Sequence, residues 1–558
     1  MSGYSDLSKE QLIEKIKVLK KRKKFGLVWE DKPEDVAEKC RKELPVLVED
    51  ERRQILNSET SPTNVLIEGD NYHALSVLNY THKGKIDVIY ADPPYNTGAR
   101  DWKYNNHYVD KNDQYRHSKW LSLMQKRLRL AKALLKKDGV LIITIDDNEL
   151  FHLGILLEEI FFSYQKFIIT IEHNKRGRRG KNFAVTNEWA IFLVPRGIDR
   201  IQEDKSTGMI GGETRNLRRT GSGSKRTERP RKFYPIWVNK KTLKVVRAGD
   251  PIPRDAEWKR EEKGNLVTIW PIDEEGSEKN WHYGVVRTRK CIELGQLEAR
   301  VRDYGIQIYY TLRKKDSKKY KTVWTGSTYD ASTHGSVLLQ KLLGASRKFD
   351  YPKSLYAVLQ CLRATVGNRK DAVILDFFAG SGTTGHAALL LNKEDQGNRS
   401  FILCTNNENK IAEDICFPRI GVAIKGHKDY PDITNFPAQL RYYRTDFVDA
   451  EPTDKNKRKL TAQATEMLCL KEGTFQKVID KRDFKVFGCA GRYTGIIFHQ
   501  VAIPAFKEAI ASLEGRHSIY VFSLSDDTFD DEFEDIKHKV KLSPIPEAIL
   551  RVYRRIFK

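Results

Sequence analysis

Apolar positions along the chain change their period several times, and each change predicts a different element. Leu12, Ile16 and Leu19 recur at helical spacing behind a Ser8 to Gln11 capping box, and a Lys/Arg cluster follows. From "TNVLIEGDN" onward, short apolar runs alternate with helical stretches: "VLIEG", "IDVIYA", the amphipathic "WLSLMQKRLRLAKALLKK", then "GVLIITIDD". Strands alternating with helices predict a parallel, doubly wound α/β sheet. "FIITIEHN" and "NEWAIFLV" predict two further strands, an antiparallel pair at the sheet edge. The rhythm then fails, and returns at "DAVILDFFAGSGTTGHAALLL" and "RSFILCTNNE".

These changes divide the chain into an N-terminal helical segment (1–60), a first sheet segment (61–195), an insertion (196–335), a second sheet segment (336–425) and a separate small α/β unit (426–558). Charge sharpens the picture: 98 Lys+Arg against 75 Asp+Glu leave a net +23, which points to a polyanionic partner, nucleic acid first. The insertion is the most basic stretch, and its strand-like, aromatic "FYPIWV", "NLVTIWP" and "IQIYYTLR" predict a folded domain rather than a linker. Basic side chains neutralise phosphates and aromatic rings stack on bases, which is how such a domain would grip DNA. Seven scattered cysteines, none spaced Cys-x-x-Cys, suggest a reduced compartment and no metal site. No apolar run approaches the roughly 18 residues of a membrane span, so a cytoplasmic protein without signal peptide or anchor is expected.

Two motifs carry chemistry. Gly380, Gly382 and Gly385 form GxGxxG between a strand and a helix, a pattern shared with dinucleotide-binding folds. Here Asp376-Phe377-Phe378-Ala379 intervenes and Thr383-Thr384 stands at the helix start, an arrangement that suits S-adenosyl-L-methionine. The glycines let backbone approach the methionine moiety, and helix-start amides receive its carboxylate. The second motif, Asp92-Pro93-Pro94-Tyr95, ends another strand. Prolines stiffen the turn and leave its carbonyls without competing N–H groups. Asp92 and the Pro93 carbonyl can accept the two hydrogens of an exocyclic amino group, while Tyr95 stacks on a base flipped from the duplex. The amino nitrogen then displaces the sulfonium methyl in line, so positioning and electrostatics carry the catalysis. No cysteine follows a proline, as methylation at a cytosine ring carbon would require.

Together the motifs resemble those of the DNA amino-methyltransferases in which Asp-Pro-Pro-Tyr precedes the cofactor loop. Within that group the chain is most similar to modification subunits of type III restriction-modification systems and their solitary relatives. "LIEGDNYHAL", "DPPYNTG", "HSKWLSLMQKRLRLAKALL", "STYDASTHGSVLLQKLLG", "FDYPKSL", "DFFAGSGTTG" and "SPIPEAILRVYRRIF" follow in the family's order. The resemblance implies a circularly permuted Rossmann-like methyltransferase fold with an inserted target-recognition domain. It implies adenine N6 methylation in double-stranded DNA, with Asp rather than Ser before Pro-Pro favouring adenine over the 4-amino group of cytosine. It also implies a homodimer, with a helicase-nuclease restriction subunit as a further partner. The chain carries no Walker-type phosphate loop for ATP hydrolysis of its own.

By the resemblance, Asp92, Pro93, Pro94 and Tyr95 are catalytic, with Asp92 also beside the cofactor. Asp376, Phe378, Gly380, Gly382 and Thr384 line the cofactor loop, Asp70 accepts from the cofactor's adenine amino group, and Lys353 and Ser354 close over its methionine carboxylate. Many relatives place an acidic residue for the ribose where this chain has Thr405 and Asn406, with Glu408 later, so Asn406 takes that position here. His117, Trp120, Trp324 and Tyr329 are expected to pack, and the basic "EHNKRGRRGKNF" is either a groove-entering loop or a solvated hairpin. Two rival readings remain: a non-catalytic recognition subunit, which a damaged motif would betray, and a nicotinamide oxidoreductase, which would leave Asp-Pro-Pro-Tyr unexplained.

Overall fold

The computed structural model describes residues 8–21, 29–56, 61–177, 182–204, 214–311, 318–344, 349–525, 527 and 529–557. They divide into two compact units, Met1–Gln202 with Tyr320–Lys558, and Glu203–Lys319. Parts of the basic cluster after Leu19 and of the "EHNKRGRRGKNF" loop lie outside the described residues.

The larger unit is built on a mixed sheet of eleven strands among the described residues. They are β1 (Glu43–Glu49), β2 (Ile55–Leu56), β3 (Thr63–Glu68), β4 (Ile86–Ala91), β5 (Leu135–Ile145), β6 (Tyr164–Glu172), β7 (Asn187–Pro195), β8 (Val323–Trp324), β9 (Val373–Asp376), β10 (Ser400–Thr405) and β11 (Gln439–Asp449). Their order is β1-β11-β3-β10-β9-β4-β5-β7-β6-β8, with β2 paired to β11. From β11 to β5 every pairing is parallel. β7 runs antiparallel between β5 and β6.

Alternation along the strands explains why both faces are covered. Ile67, Ile89 and Ile143 belong to one apolar core, and their neighbours Leu66, Val88 and Ile142 to another. On the first face lie α1 (Asn71–Thr81), α2 (Arg116–Leu134) and α3 (Leu150–Ile160), and on the second α4 (Leu355–Val366), α5 (Thr383–Asp395) and α6 (Phe417–Lys425). This is a doubly wound, Rossmann-like α/β fold. The two chain segments interleave: β9 and β10, from beyond the insertion, sit between β3 and β4, from before it.

Three expected boundaries are corrected. The N-terminal segment is not only helical, because β1 and β2 within it pair with β11. The insertion is narrower than 196–335, because Val323 and Trp324 already pair with β6 of the main sheet. The C-terminal stretch is not a separate unit. β11 lies in the main sheet, and Leu468, Ile496, Tyr520, Ile549 and Tyr553 share one core with Leu75 and Leu78 of α1. Tyr553 closes the join by donating to the Pro45 carbonyl at 2.5 Å.

Among its described residues the smaller unit contains a short antiparallel pair, Glu203–Asp204 with Lys318–Lys319, and two larger antiparallel sheets. One orders Val245–Ala248, Ile236–Asn239, Leu266–Ile269 and Glu262–Lys263, the other Thr214–Asn216, Gly305–Thr311 and Leu297–Arg302. Leu217, Tyr234, Ile236, Val267, Trp281 and Ile308 form its own core. Among the described residues no helix is long and apolar enough to cross a membrane.

Candidate active site

Because β3, β10, β9 and β4 are adjacent and parallel, their carboxyl ends lie along one sheet edge, where open α/β sheets bind ligands. Asp70 follows β3, Asn406 follows β10, Asp376 ends β9 and Asp92 follows β4. Local rules set each of these positions.

The turn after β4 is held from behind. Trp120 of α2 is fully buried and donates its indole N–H to the Pro94 carbonyl at 2.7 Å. Asn96, at φ 55, donates to Glu149 at 2.5 Å and accepts from Trp102 at 3.1 Å. Asp92 Oδ1 accepts from the Thr144 hydroxyl of β5 at 2.7 Å and lies 3.0 Å from Lys353 Nζ. Burial raises the Asp92 carboxyl above its ordinary range, with Lys353 pulling it down and Glu188 pushing it up. Tyr95 donates its hydroxyl to Glu188 at 2.9 Å and accepts from Lys353 at 2.5 Å.

The glycine loop after β9 is shaped by backbone that side chains would not tolerate. Gly380 and Gly382 have φ of 48° and 78°. A Cβ on Gly380 would meet the Phe349 ring at 3.1 Å, and one on Gly382 the Cys416 sulfur at 3.0 Å. Gly382 precedes Thr383, so the loop leads straight into the N-terminus of α5. Asp376 receives the Phe378 amide at 2.9 Å and the Thr384 hydroxyl at 2.6 Å, and burial pushes its carboxyl up to about 7. Thr384 therefore braces Asp376 from beneath the loop.

Asp70 caps α1 by accepting from the Tyr72 amide at 2.7 Å, while its carboxylate stays about one-third exposed. Arg127, buried in α2, reaches Asp70 at 3.2 Å, Glu34 at 2.7 Å and the Asn71 side chain. Asn71 in turn donates to the Phe377 carbonyl at 3.0 Å, tying the end of β3 to the loop after β9. Asn406 is exposed at its strand end, and Glu408 is engaged with Lys103 at 2.5 Å. Ser354 is buried at the start of α4, with its hydroxyl donated to the Thr328 carbonyl at 2.9 Å. Lys353, expected to close over the methionine carboxylate, lies beside Asp92. Its ammonium is held at the Asp-Pro-Pro-Tyr turn, where the partly buried Asp92 carboxylate, the buried Glu188 carboxylate and the Tyr95 hydroxyl converge.

Sequence reasoning missed four residues. Glu188, second residue of β7, is buried; burial pushes its carboxyl up, but Lys353, His173 and the Tyr95 hydroxyl together hold it below the ordinary range. Thr144 is the hydroxyl partner of Asp92. Glu149, fully buried, meets Nδ1 of His117 at 2.5 Å and of His152 at 2.9 Å. Those are hydrogen-bond separations, shorter than the roughly 3.3 Å that two ligands about 2.0 Å from a tetrahedral ion would keep. The trio therefore braces the turn through Asn96. Arg419 of α6, fully buried, donates to the Ser381 and Thr383 hydroxyls at 3.0 and 2.7 Å behind the glycine loop. Trp324 and Tyr329 stack at 6.1 Å, with Trp324 in the core.

Within the smaller unit, rings and cations share one surface. His282 stacks on Tyr310 at 5.4 Å, and the Arg287 guanidinium lies 4.0 Å from the Tyr283 ring centroid. Burial, then Lys232, Arg219, Arg287 and Arg215, hold the His282 imidazole below its usual range, so four cationic side chains lie around it.

A family model described as DNA methylase matches residues 86–417. The type II methyltransferase M.KpnI of Klebsiella pneumoniae is 31% identical over 414 residues, covering 72% of this chain and 92% of that protein. The EcoPI Mod subunit of a type III restriction-modification enzyme, from Escherichia phage P1, is 29% identical over 65% of this chain. The StyLTI Mod subunit of Salmonella typhimurium is 30% identical, again over 65% of this chain. The chain spans 60% and 55% of the length of these two subunits.

Proposed function

Because the chain belongs to the DNA methylase family, we propose that it transfers a methyl group from S-adenosyl-L-methionine to the 6-amino group of adenine at a specific sequence in double-stranded DNA. The observation that carries this reading is Asp92: a desolvated carboxylate on a proline-stiffened turn, next to a tyrosine ring and along the same sheet edge as the glycine loop. Asp92 accepts from the amino group, which lowers the charge that nitrogen gathers as it attacks. Pro93 offers a second acceptor, Pro94 is fixed by Trp120, and Tyr95 flanks the base. A flipped base costs a few kcal/mol of lost stacking and pairing, part of which Tyr95 restores.

The residues present fit the cofactor. Gly380 and Gly382 let the loop turn through left-handed backbone packed against Phe349 and Cys416, and the loop leads into the N-terminal amides of α5. Asp70 and Asn406 offer acceptors along the strand ends, Phe378 an adjacent ring, and the buried Asp376 holds the loop by accepting from the Phe378 amide and the Thr384 hydroxyl. When bound, the cofactor supplies an electrophilic methyl on a sulfonium. The basic, ring-bearing surface of the smaller unit suits phosphates and bases, which supports its role in target recognition.

The same reading extends to partners and place: a homodimer, a helicase-nuclease subunit where one is present, and a cytoplasmic setting. Phe151, Ile155 and Phe162 are exposed at helical spacing along and just beyond α3, which supports pairing of two copies. Sedimentation velocity of the full chain is expected to give the dimer mass.

The function is tested by single-molecule sequencing of DNA from a methylation-free host expressing the protein. Modified adenine confined to one short sequence is expected. 4-Methylcytosine instead would overturn the adenine assignment, and no modified base would favour a recognition-only subunit.

A further inference from the structure

Lys353 makes, in the protein alone, a contact that the proposed chemistry reserves for the substrate. Its side chain is 13% exposed, and its ammonium lies 3.0 Å from Asp92 Oδ1, 3.0 Å from Glu188 Oε2 and 2.5 Å from the Tyr95 hydroxyl. The nitrogen is also 4.4 Å from the Tyr95 ring centroid. An exocyclic amino group is likewise an N–H donor, and it must reach the same carboxylate beside the same ring.

We propose that Lys353 is a stand-in for the target amino group: it occupies Asp92 until a flipped base displaces it, and Glu188 holds the displaced ammonium. This deepens the function proposed above and rests on it.

Three features support the exchange. The Asp92 side chain is 24% exposed, and in the protein alone the Lys353 ammonium 3.0 Å away balances its charge, so the partly desolvated carboxylate is not left unpaired. Glu188 Oε2 already accepts from both Lys353 and Tyr95, so the ammonium can leave Asp92 without losing its other carboxylate or crossing bulk solvent. Lys353 stands immediately before the buried Ser354 that starts α4, so its backbone is anchored while the long side chain can swing. A base without an amino group gives Asp92 no replacement donor and gains little by displacing the lysine. The exchange therefore adds selectivity for amino-bearing bases. Lys353 acts in this as a positioning residue, through Asp92.

The test uses the full chain and a duplex of the target sequence that keeps adenine at the target position, with 2-aminopurine as the neighbour of that adenine. Its fluorescence rises when the adenine flips and unstacks from it. Lys353→Met is expected to raise the flipped fraction about fivefold at subsaturating protein, because the incumbent donor is gone. Glu188→Gln is expected to lower it, because the ammonium then has nowhere else to go. The double variant is expected to behave like Lys353→Met, a reversal that simple structural damage at Glu188 would not produce. Calorimetric titration with S-adenosyl-L-methionine runs in parallel, with circular dichroism confirming that each variant is folded. Unchanged or reduced flipping in folded Lys353→Met would overturn the proposal. So would a tenfold or greater loss of cofactor affinity, which would return the lysine to the methionine carboxylate. Silence from the unsubstituted protein would instead remove the base-flipping reading, and the lysine's role with it.

Discussion

Asp92→Ala is expected to reduce methyl transfer by about a thousandfold or more, on the scale of losing a preorganised electrostatic contact to the reacting centre. The cofactor's dissociation constant should stay within about threefold, roughly 0.7 kcal/mol, because the carboxylate acts mainly on the base. Single-turnover transfer of a labelled methyl group and a binding titration measure the two separately. Asp92→Asn is expected to lose nearly as much, since an amide keeps the shape but not the charge. The unsubstituted enzyme should share this dependence through pH. Burial raises the Asp92 carboxyl above its ordinary range, so the rate should fall on the acid side as the proton is taken up, and at a higher pH than an exposed aspartate would give. Unchanged turnover in Asp92→Ala would remove the mechanism.

The second large effect is on stability. Arg127→Met is expected to destabilise the protein by about 3–5 kcal/mol, because a buried cation is removed while its carboxylate partners remain. Arg127 is 2% exposed and serves Glu34, Asp70 and Asn71 together. Without it the buried Glu34 is left, among the described residues, with Lys126 at 3.8 Å as its ion-pair partner. Adding Glu34→Gln should recover part of the loss. Urea denaturation of the three variants measures this, and a shift below about 1 kcal/mol would show the cluster to be better solvated than its burial implies. Cofactor affinity should also fall in Arg127→Met, since Asn71 would no longer be steadied where it meets the Phe377 carbonyl.

The sheet's centre was legible because its strands are buried on both faces and read as dense apolar runs. β1 and β11 were not recognised as part of it. β11, "QLRYYRTDFVD", carries Arg441 and Arg444 at positions that look solvent-facing, yet they meet Glu49 and Glu68 on the neighbouring strands. Cross-strand pairing of that kind leaves no hydropathy signal. The motif residues could be named because rigid turns and tight glycine loops need particular residue types. Glu188 could not, because a charge at the start of "NEWAIFLV" looks like an ordinary strand boundary. Its burial and its role arise only where Lys353, 165 residues away in sequence, comes to it.

The interleaving of β9 and β10 between β3 and β4 has a consequence for how the chain is made. Synthesis delivers β3 and β4 early, but the two strands that separate them emerge only after the whole smaller unit has been translated. Until then β3 and β4 expose open, apolar edges, the kind that stick to one another or to other chains, and the early segment depends on its helices or on chaperones for cover. The gap also falls between the turn bearing Asp92 and the strand end bearing Asp70, so a prematurely terminated polypeptide holds the catalytic turn without the glycine loop. A polypeptide that ends before β9 therefore lacks the glycine-loop residues proposed to hold the cofactor, and no methyl transfer is expected of it.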